Sequence, residues 1–187
     1  SCETAWAWMH KLRRAMVRPE RELLGGDGVA VEVDQTFLGG PVRARSEGRY
    51  ANKSEVVIAV ERTHPKGLGR ARLAHIDTSD RKAEILEFTR ANIAHGTILY
   101  TDGEASYAAA AKALQIHHEP IAMVHATEPA HVLLPAVHRV ASLLKRWIDG
   151  TLQGSVSDDH LAYYLDEFTF RFNRRTSRSR GLLWYRL

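Results

Sequence analysis

The spacing of apolar and polar residues predicts that the chain begins with a helix over Thr4–Leu24. Lysine and arginine residues separate apolar side chains that recur near helical spacing: Trp6, Met9, Leu12 and Met16. Pro19 is expected to kink or divide this helix, because proline lacks the amide hydrogen that a helix interior needs. The glycine-rich run Gly25–Gly28 then interrupts the helical pattern.

Three segments bounded by turn residues predict consecutive strands. They cover Val29–Asp34, Glu55–Arg62 and Gly69–Asp77. The polar stretch Arg43–Lys53 is expected to be a loop or an irregular hairpin, and His64–Gly67 a turn. Consecutive strands joined in this way pair as antiparallel neighbours.

The second half of the chain predicts helices that alternate with two short strands. The expected helices are Asp80–Ala94, Glu104–Leu114, Pro135–Asp149 and Asp158–Phe172. The expected strands are Thr97–Thr101 and Ile116–Ile121. The complete order favours an α/β fold with a mixed five-stranded sheet flanked by helices. The ribonuclease-H-like, or integrase-type, fold has this order of elements.

The composition is typical of a single globular domain. The 187 residues are 44% hydrophobic and 26% charged, so disorder is not expected. The single cysteine, Cys2, excludes an intramolecular disulfide and a cysteine-rich zinc site within this chain. No run approaches the roughly 18 apolar residues of a membrane span. These features favour a soluble cytoplasmic protein without a membrane partner.

Positive charge is concentrated at the C-terminal end of the chain. The net charge is +4, and residues 171–187 contain six arginines and no acid: Arg171, Arg174, Arg175, Arg178, Arg180 and Arg186. A basic tail on a nearly neutral body favours a polyanionic partner. Nucleic acid ranks ahead of membrane, because no apolar helix face accompanies these arginines. A solvated tail without a partner is the alternative that charge alone leaves open.

Two aspartates are candidates for chemistry because of their positions in predicted strands. Asp34 lies inside an otherwise apolar first strand, and Asp102 comes directly after the fourth. If these strands are neighbours, the two carboxylates converge, and a divalent cation relieves their repulsion. Two such cations suit phosphoryl transfer, in which one oxygen attacks and another leaves. The alternative is that Asp34 is an edge-strand residue with satisfied hydrogen bonds and Asp102 forms a turn before Gly103.

The predicted helix Pro135–Asp149 has a histidine beside its apolar face. That face consists of residues at helical spacing: Val137, Ala141, Leu144 and Ile148. Polar residues follow on its flank and then on a basic edge: His138, Ser142 and Lys145, then Arg139 and Arg146. This order suits a helix that crosses an active site beside DNA. The alternative is that His138 is a boundary residue on a helix that only covers the sheet.

Four segments of the chain resemble the ISXO-like transposases, a group of bacterial insertion-sequence enzymes within the DDE superfamily. They are residues 31–40, 100–103, 137–147 and 164–175, in this order. The first contains Asp34, the second Asp102 and the third His138. Together these segments are highly specific, and the resemblance extends from about Thr4 to the end of the chain.

The resemblance implies a ribonuclease-H-like catalytic core in which Asp34, Asp102 and His138 hold Mg²⁺ or Mn²⁺ in a two-metal site. In this family the third position is Glu, Asn or His, followed seven residues later by a lysine, which Lys145 matches. The interval of 36 residues between Asp102 and His138 also suits the superfamily. The expected DNA contacts are basic side chains: Arg139, Lys145, Arg146, Arg171, Arg174 and Arg175.

The chain departs from the family pattern at two places. Members often have Asp-Glu where this chain has Asp34 and Gln35, which removes a charge but keeps the expected ligand. Glu32 shares a strand face with Asp34, and it either supports the site from behind or has a structural or solvated role.

The second departure concerns the cysteine-rich zinc ribbon that usually precedes the catalytic core, which has no counterpart in these 187 residues. We therefore expect a catalytic-core fragment or a truncated reading frame. The predicted organisation is an N-terminal helical segment, residues 1–27, and a catalytic domain, residues 28–187, with a C-terminal helix and an arginine-rich tail.

The leading hypothesis is a transposase that cuts and joins DNA with bound metal during transposition of an insertion sequence. Its partners would be the element ends and the target DNA, and it would act as a homo-oligomer at the bacterial nucleoid. A nuclease of the same fold that hydrolyses DNA without strand transfer is the second hypothesis. A domesticated DNA-binding domain without catalysis is the third, and the presence of both Asp34 and Asp102 argues against it.

Overall fold

In this computed structural model a five-stranded sheet lies at the centre of the protein. The structure describes residues 1–17, 21–39, 53–63, 67–121, 130–152, 156, 158–179 and 181. The strands are β1 (Ala30–Leu38), β2 (Ser54–Thr63), β3 (Gly67–Ile76), β4 (Ile98–Thr101) and β5 (His117–Pro120). Their order across the sheet is β3-β2-β1-β4-β5. β1, β2 and β3 pair antiparallel, whereas β4 pairs parallel with both β1 and β5.

Helices cover both faces of this sheet. They are α1 (Cys2–Ala15), α2 (Arg81–Asn92), α3 (Ala105–Leu114), α4 (Ala130–Leu133), α5 (Pro135–Leu152) and α6 (Asp158–Asn173). α2 and α3 pack on one face of the sheet, and α5 and α6 pack on the other. The predicted α/β class and mixed five-stranded sheet are confirmed, and this topology is that of the ribonuclease-H-like fold.

Alternation along the strands explains why both faces of the sheet are apolar. On β2 the side chains face two cores in turn: Val56, Ile58 and Val60 pack under α5 and α6, and Val57 and Ala59 pack under α2 and α3. A strand covered on both faces reads as a continuous apolar run. On β1, Val31 and Val33 face α2 and α3. The alternate residues Glu32 and Asp34 therefore face α5, where the pattern becomes polar.

The N-terminal helix α1 is joined to α6 by a buried ion pair and a cluster of rings. Nε of Arg13 lies 2.7 Å from Oε2 of Glu167, and both side chains are almost fully buried. The ring of His10 is centred 4.1 Å from that of Trp6 and 5.0 Å from that of His160. These contacts hold α1 against the domain through α6.

The prediction of a helix as far as Leu24 is wrong for its last residues. α1 ends well before this point, and residues 21–24 are not helical. Leu24 is fully buried, and its backbone bonds to Asn92 and Ala94 at the end of α2. Burial of this leucine between the elements outweighs the helical spacing of the residues before it. Pro19, the predicted kink, lies outside the described residues.

Other element boundaries also differ from the prediction. β1 continues past Asp34 to Leu38, because β2 pairs with it over that whole length. α5 continues through Gly150 to Leu152. Leu152 packs against the core one turn beyond Ile148, and this packing offsets the low helix propensity of the glycine. The short helix α4 lies in a connection where no element was predicted.

Two predicted connections, Arg43–Lys53 and His64–Gly67, lie outside the described residues except for the last residue of each. Arg180 and Arg186 of the basic tail lie outside them as well. Within the part of the chain that the structure describes, no helix is long and apolar enough to cross a membrane.

Candidate active site

The register of two parallel strands places Asp34 beside Asp102. Glu32 on β1 pairs with Tyr100 on β4, and two further positions along both strands lead to the two aspartates. Neighbouring strands are about 4.8 Å apart. Gly103 follows with φ of +86°, a conformation that favours glycine, and turns the chain toward α3. The expectation that these two strands are neighbours is therefore met.

The carboxylate of Asp34 lies where its negative charge is costly. Burial raises the pKa of Asp34 to about 6, and the nearby charges of Asp102 and Glu104 contribute to this rise. The amide of Gln35 donates to Oδ1 of Asp34 at 2.8 Å and lowers that pKa in part. A buried carboxylate beside two others favours a cation as its neighbour.

Helix α5 brings His138 to Asp34. Nε2 of His138 lies 3.8 Å from Oδ2 of Asp34, and the two side chains are 31% and 16% exposed. This distance is too long for a hydrogen bond. Two atoms that contact one ion at roughly 2.1 Å can lie up to roughly 4.2 Å apart, so the separation suits two ligands of one cation.

Glu32 supports the same helix from below. Its side chain is fully buried, and Oε2 accepts the amides of Ala136 and Val137 at 2.7 Å and 3.0 Å. Nε of Arg62 lies 3.4 Å from the other carboxylate oxygen. Burial raises the pKa of Glu32, while these amides and Arg62 act in the opposite direction. Of the alternatives considered for Glu32, the structure shows a structural role at the start of α5, next to His138.

Sequence reasoning did not identify Glu104, whose charge acts on Asp34 in the candidate site. Glu104 directly precedes α3, and its Oε2 accepts a hydrogen bond from Nε2 of Gln35 at 2.9 Å. Oε1 of Glu104 lies 3.7 Å from Nη1 of Arg81. Its position two residues after Asp102 is the signal that could have identified it, because a turn at Gly103 returns its side chain toward the strand end.

The donor atoms near Asp34 are of the kinds that bind hard divalent cations. Carboxylate oxygens suit Mg²⁺ and Mn²⁺, and Mn²⁺ accepts an imidazole nitrogen more readily. Within the described residues, no group of three or more His, Cys, Asp or Glu side chains is arranged to hold a metal ion. The three-residue ligand set of Asp34, Asp102 and His138 therefore stays a prediction.

The basic residues predicted on α5 lie on the exposed side of the helix that carries His138. Arg139, Lys145 and Arg146 are exposed, whereas Val140 and Leu144 between them are fully buried. Ser142 is exposed, and its hydroxyl donates to the backbone carbonyl of its own helix turn. The predicted apolar stripe and basic edge of this helix are both observed.

The arginines predicted at the end of α6 are engaged with the protein itself. Nη2 of Arg171 lies 2.7 Å from Oε1 of Glu167. The guanidinium of Arg174 lies 3.9 Å from the ring centre of Phe170. Arg175 donates to carbonyl oxygens of Phe172, Leu68 and Gly69, the last two on β3. Arg175 thus joins α6 to the β3 edge, on the opposite side of β1 from Asp102.

No curated protein sequence matches the chain, whereas similar chains are found among solved structures. One similar solved structure is a chain of the simian T-cell lymphotropic virus intasome in complex with the PP2A regulatory subunit B56 gamma. The identity is 15%, the TM-score is 0.44, and the match covers 83% of this chain and 54% of that chain. The match thus spans about half the length of that chain.

The model of the ISXO2-like transposase domain matches residues 23–173. This range includes β1, β4 and α5, together with Asp34, Asp102 and His138. It covers most of the chain and agrees with the family that the four sequence segments resemble. The chain therefore belongs to the ISXO2-like transposase domain family.

Proposed function

We propose that this chain is a DDE-type transposase that catalyses metal-dependent DNA strand cleavage and transfer during transposition of an insertion sequence. Membership in the ISXO2-like family supports the reaction class. The single observation that carries the proposal is the 3.8 Å approach of His138 Nε2 to Asp34 Oδ2, beside the strand position of Asp102. These are the positions at which the family pattern expects metal ligands.

In this proposal Asp34, Asp102 and His138 hold two divalent cations, either Mg²⁺ or Mn²⁺. The bound cations would supply activation of an attacking oxygen and stabilisation of a leaving one. The burial of Asp34 and the negative charge around it support this role, because a cation relieves the repulsion between carboxylates. Lys145 contacts the phosphate group, and Arg139 and Arg146 hold the duplex.

The reaction has two in-line displacements at phosphorus. In the first, a water oxygen bonds to phosphorus at the element end, and the 3′-oxygen leaves with a proton as a 3′-hydroxyl. In the second, that hydroxyl oxygen loses its proton and bonds to a phosphorus of the target strand, and the 3′-oxygen of the target leaves and takes up a proton. The second step exchanges one phosphodiester for another, so it needs no external energy source.

The proposed partners are the DNA ends of the element, the target DNA and further copies of this chain. Two element ends and one target must be handled together, which favours an oligomer assembled on DNA. A bacterial transposase acting on chromosomal DNA would lie in the cytoplasm at the nucleoid. These assignments depend on the proposed activity.

The activity is tested with a supercoiled plasmid and a labelled duplex that has free 3′-hydroxyl ends. Asp34→Asn and Asp102→Asn are each expected to reduce both nicked and joined products by at least about a hundredfold, because each change keeps the shape but removes a charge that the metals need. The control Asp149→Asn changes an exposed aspartate on α5 and should retain activity.

The products distinguish the competing functions. Joined products indicate strand transfer, whereas nicked products alone would indicate a nuclease of the same fold. Near-wild-type cleavage by Asp34→Asn or Asp102→Asn would remove that residue from the site. Mn²⁺ should raise the Tm of the wild-type protein more than that of Asp34→Asn, since only a ligand that binds the folded state shifts its stability.

A further inference from the structure

A cleft of about 400 Å³ lies between the C-terminal end of α1, residues 21–22, β3 and α6. Clefts of this size are large enough to hold small ligands. β3 forms one edge of the sheet, whereas Asp102 follows β4 on the other side of β1. The cleft is therefore separate from the candidate active site.

Positive charge dominates the walls of this cleft. Four arginines line it among the described residues: Arg21, Arg70, Arg72 and Arg174. Two carboxylates also line it: Glu22 and Asp166. Arg70 is already neutralised, because its Nη2 lies 2.6 Å from Oε1 of Glu61 and its Nη1 lies 2.9 Å from Oε2 of Glu22. Asp166 is the other lining acid, and Arg21, Arg72 and Arg174 are the other lining arginines in the described part of the chain.

Arg72 on β3 is the central observation. Its side chain is buried, with the residue 5% exposed. Two of its N–H groups donate to backbone carbonyls, of Ala71 at 3.0 Å and of Glu22 at 2.8 Å. Its Nε has no hydrogen-bond partner, and no carboxylate forms an ion pair with it, among the described residues. Burial, with the neighbouring charges of Arg21 and Arg70, lowers the pKa of Arg72 to about 10, although Glu61 and Glu22 act in the opposite direction.

Asp166 on α6 is the second carboxylate of the cleft. No ion pair joins its carboxylate to an arginine in the part of the chain that the structure describes. Burial raises the pKa of Asp166, and Arg21 lowers it in part. An anion held beside this carboxylate would favour its protonated form, which can donate a hydrogen bond to an oxygen of the anion.

We propose that this cleft binds a phosphate group through Arg72, Arg21 and Arg174. A guanidinium presents five N–H donors in a planar fork that matches phosphate oxygens. The carboxylates of Glu61 and Glu22, which act on Arg72, form their ion pairs with Arg70, so a bound phosphate would add compensation for the buried charge of Arg72. The phosphate belongs either to a DNA backbone or to a free nucleotide. This site needs no metal and does not depend on the proposed strand transfer.

The test uses the whole chain in a chelating buffer, so that loss of catalysis cannot affect the result. Inorganic phosphate, a deoxynucleoside monophosphate and a short DNA duplex are titrated separately by calorimetry. Arg21→Gln and Arg72→Gln should each weaken binding of at least one probe about tenfold or more. The matched control is Arg90→Gln, an exposed arginine on α2 on the other face of the sheet, which should bind as the wild type does.

The three probes identify the source of the phosphate. If it is a DNA backbone phosphate, Arg21→Gln should also reduce the salt dependence of duplex binding by about 0.9 in log–log slope. If it is a free nucleotide, monophosphate binding falls and the duplex slope is unchanged. Arg21 is exposed, so its variant decides the question even if Arg72→Gln fails to fold. Unchanged affinity of Arg21→Gln for all three probes, or an equal loss in Arg90→Gln, overturns the proposal.

Discussion

At the scale of single residues, His138 is the feature that most affects the metal preference of the proposed site. A neutral imidazole adds no negative charge, and Mg²⁺ prefers oxygen ligands in octahedral geometry. Mn²⁺ accepts nitrogen more readily. The excess negative charge near Asp34 comes from Asp102 and Glu104, and Gln35 adds none. The proposed site should therefore bind metal more weakly than a relative with glutamate at the third position, and should work better with Mn²⁺.

Variants at His138 test this expectation. His138→Ala should lose most of the cleavage activity, about tenfold or more, because one proposed metal ligand is removed. His138→Glu should keep part of the activity and shift the preference toward Mg²⁺, because a carboxylate replaces nitrogen with oxygen. Cleavage is measured against the concentration of each metal for the three proteins.

The control for these variants is His117→Ala, which changes an exposed histidine on β5. It should leave the metal dependence as in the wild type. A His138→Ala protein with an unaltered Mn²⁺ and Mg²⁺ profile and only slightly reduced stability would make His138 a boundary residue of a covering helix, and the assignment would fail.

Glu61 on β2 gives a pH-dependent contribution to stability. Its carboxylate accepts the amide of Gly25 at 2.9 Å and pairs with Arg70. Burial raises the pKa of Glu61, but the hydrogen bonds from Arg70 and Gly25 outweigh burial, so the pKa is lowered. A carboxyl group with a lowered pKa stabilises the fold above its unfolded pKa, and this stability is lost as pH falls through the folded pKa.

Glu61→Gln should therefore lower the free energy of unfolding at pH 7 by about 2 kcal/mol. The difference from the wild type should shrink as pH falls below about 4. Urea unfolding at both pH values measures it. The control Glu87→Gln breaks an exposed pair with Arg90 and should change stability by less than about 0.5 kcal/mol. Equal effects of the two substitutions would contradict the role given to Glu61.

At the scale of elements, α5 links packing to chemistry. It begins at Pro135, which suits a first turn, and its buried face runs from Val137 to Ile148. Glu32 accepts two amides at its N-terminal end, where carboxylates also interact favourably with the helix dipole. His138 lies one residue after these amides, so its position depends on the buried carboxylate of β1.

Removal of that carboxylate should disturb both stability and the site. Glu32→Ala should lower the free energy of unfolding by about 2–4 kcal/mol, because two buried amides lose their acceptor. Glu32→Gln keeps one acceptor oxygen and should lose less. Mn²⁺ affinity should fall in Glu32→Ala if α5 shifts, as measured by calorimetry. The control Glu119→Ala changes an exposed residue on β5 and should have little effect on either quantity. A fully stable Glu32→Ala protein would show that another group accepts hydrogen bonds from the two amides at the start of α5.

At the scale of the whole molecule, the basic residues predicted to contact DNA differ in whether they are exposed or engaged with the protein itself. Arg139, Lys145 and Arg146 are exposed on α5, the helix that carries His138. Arg171 pairs with Glu167, and Arg175 joins α6 to β3 through backbone carbonyls. The exposed side chains of α5 are suited to phosphate contacts, whereas Arg175 is part of the framework.

The chain should bind duplex DNA with little sequence preference and steep salt dependence, because side chains that bind phosphate do not read bases. Replacing Arg139, Lys145 and Arg146 by Gln should reduce the log–log salt slope by about 0.9 for each phosphate that is no longer bound. Arg175→Gln should mainly lower stability and change the slope less. A strong preference for one duplex sequence that is insensitive to salt would contradict this view of DNA binding.

Much of the fold could be predicted from local sequence. The five strands and the helices α2, α3, α5 and α6 follow from periodicity and turn residues, which depend on neighbours within about ten positions. The candidates Asp34, Asp102 and His138 followed from strand position, helix face and family pattern. Glu104 was missed, because its role depends on the turn that Gly103 makes in space.

Only the tertiary structure decided which distant residues meet. Glu32 caps a helix that starts more than a hundred residues later, Arg13 pairs with Glu167, and Leu24 leaves the helical pattern to be buried beside α2. The loss of water around a buried group is set by everything packed against it, so neither spacing nor propensity encodes these pairings. For the same reason, the sequence shows only that the chain contains many arginines, whereas the fold decides that Arg72 is buried and that its Nε has no hydrogen-bond partner among the described residues.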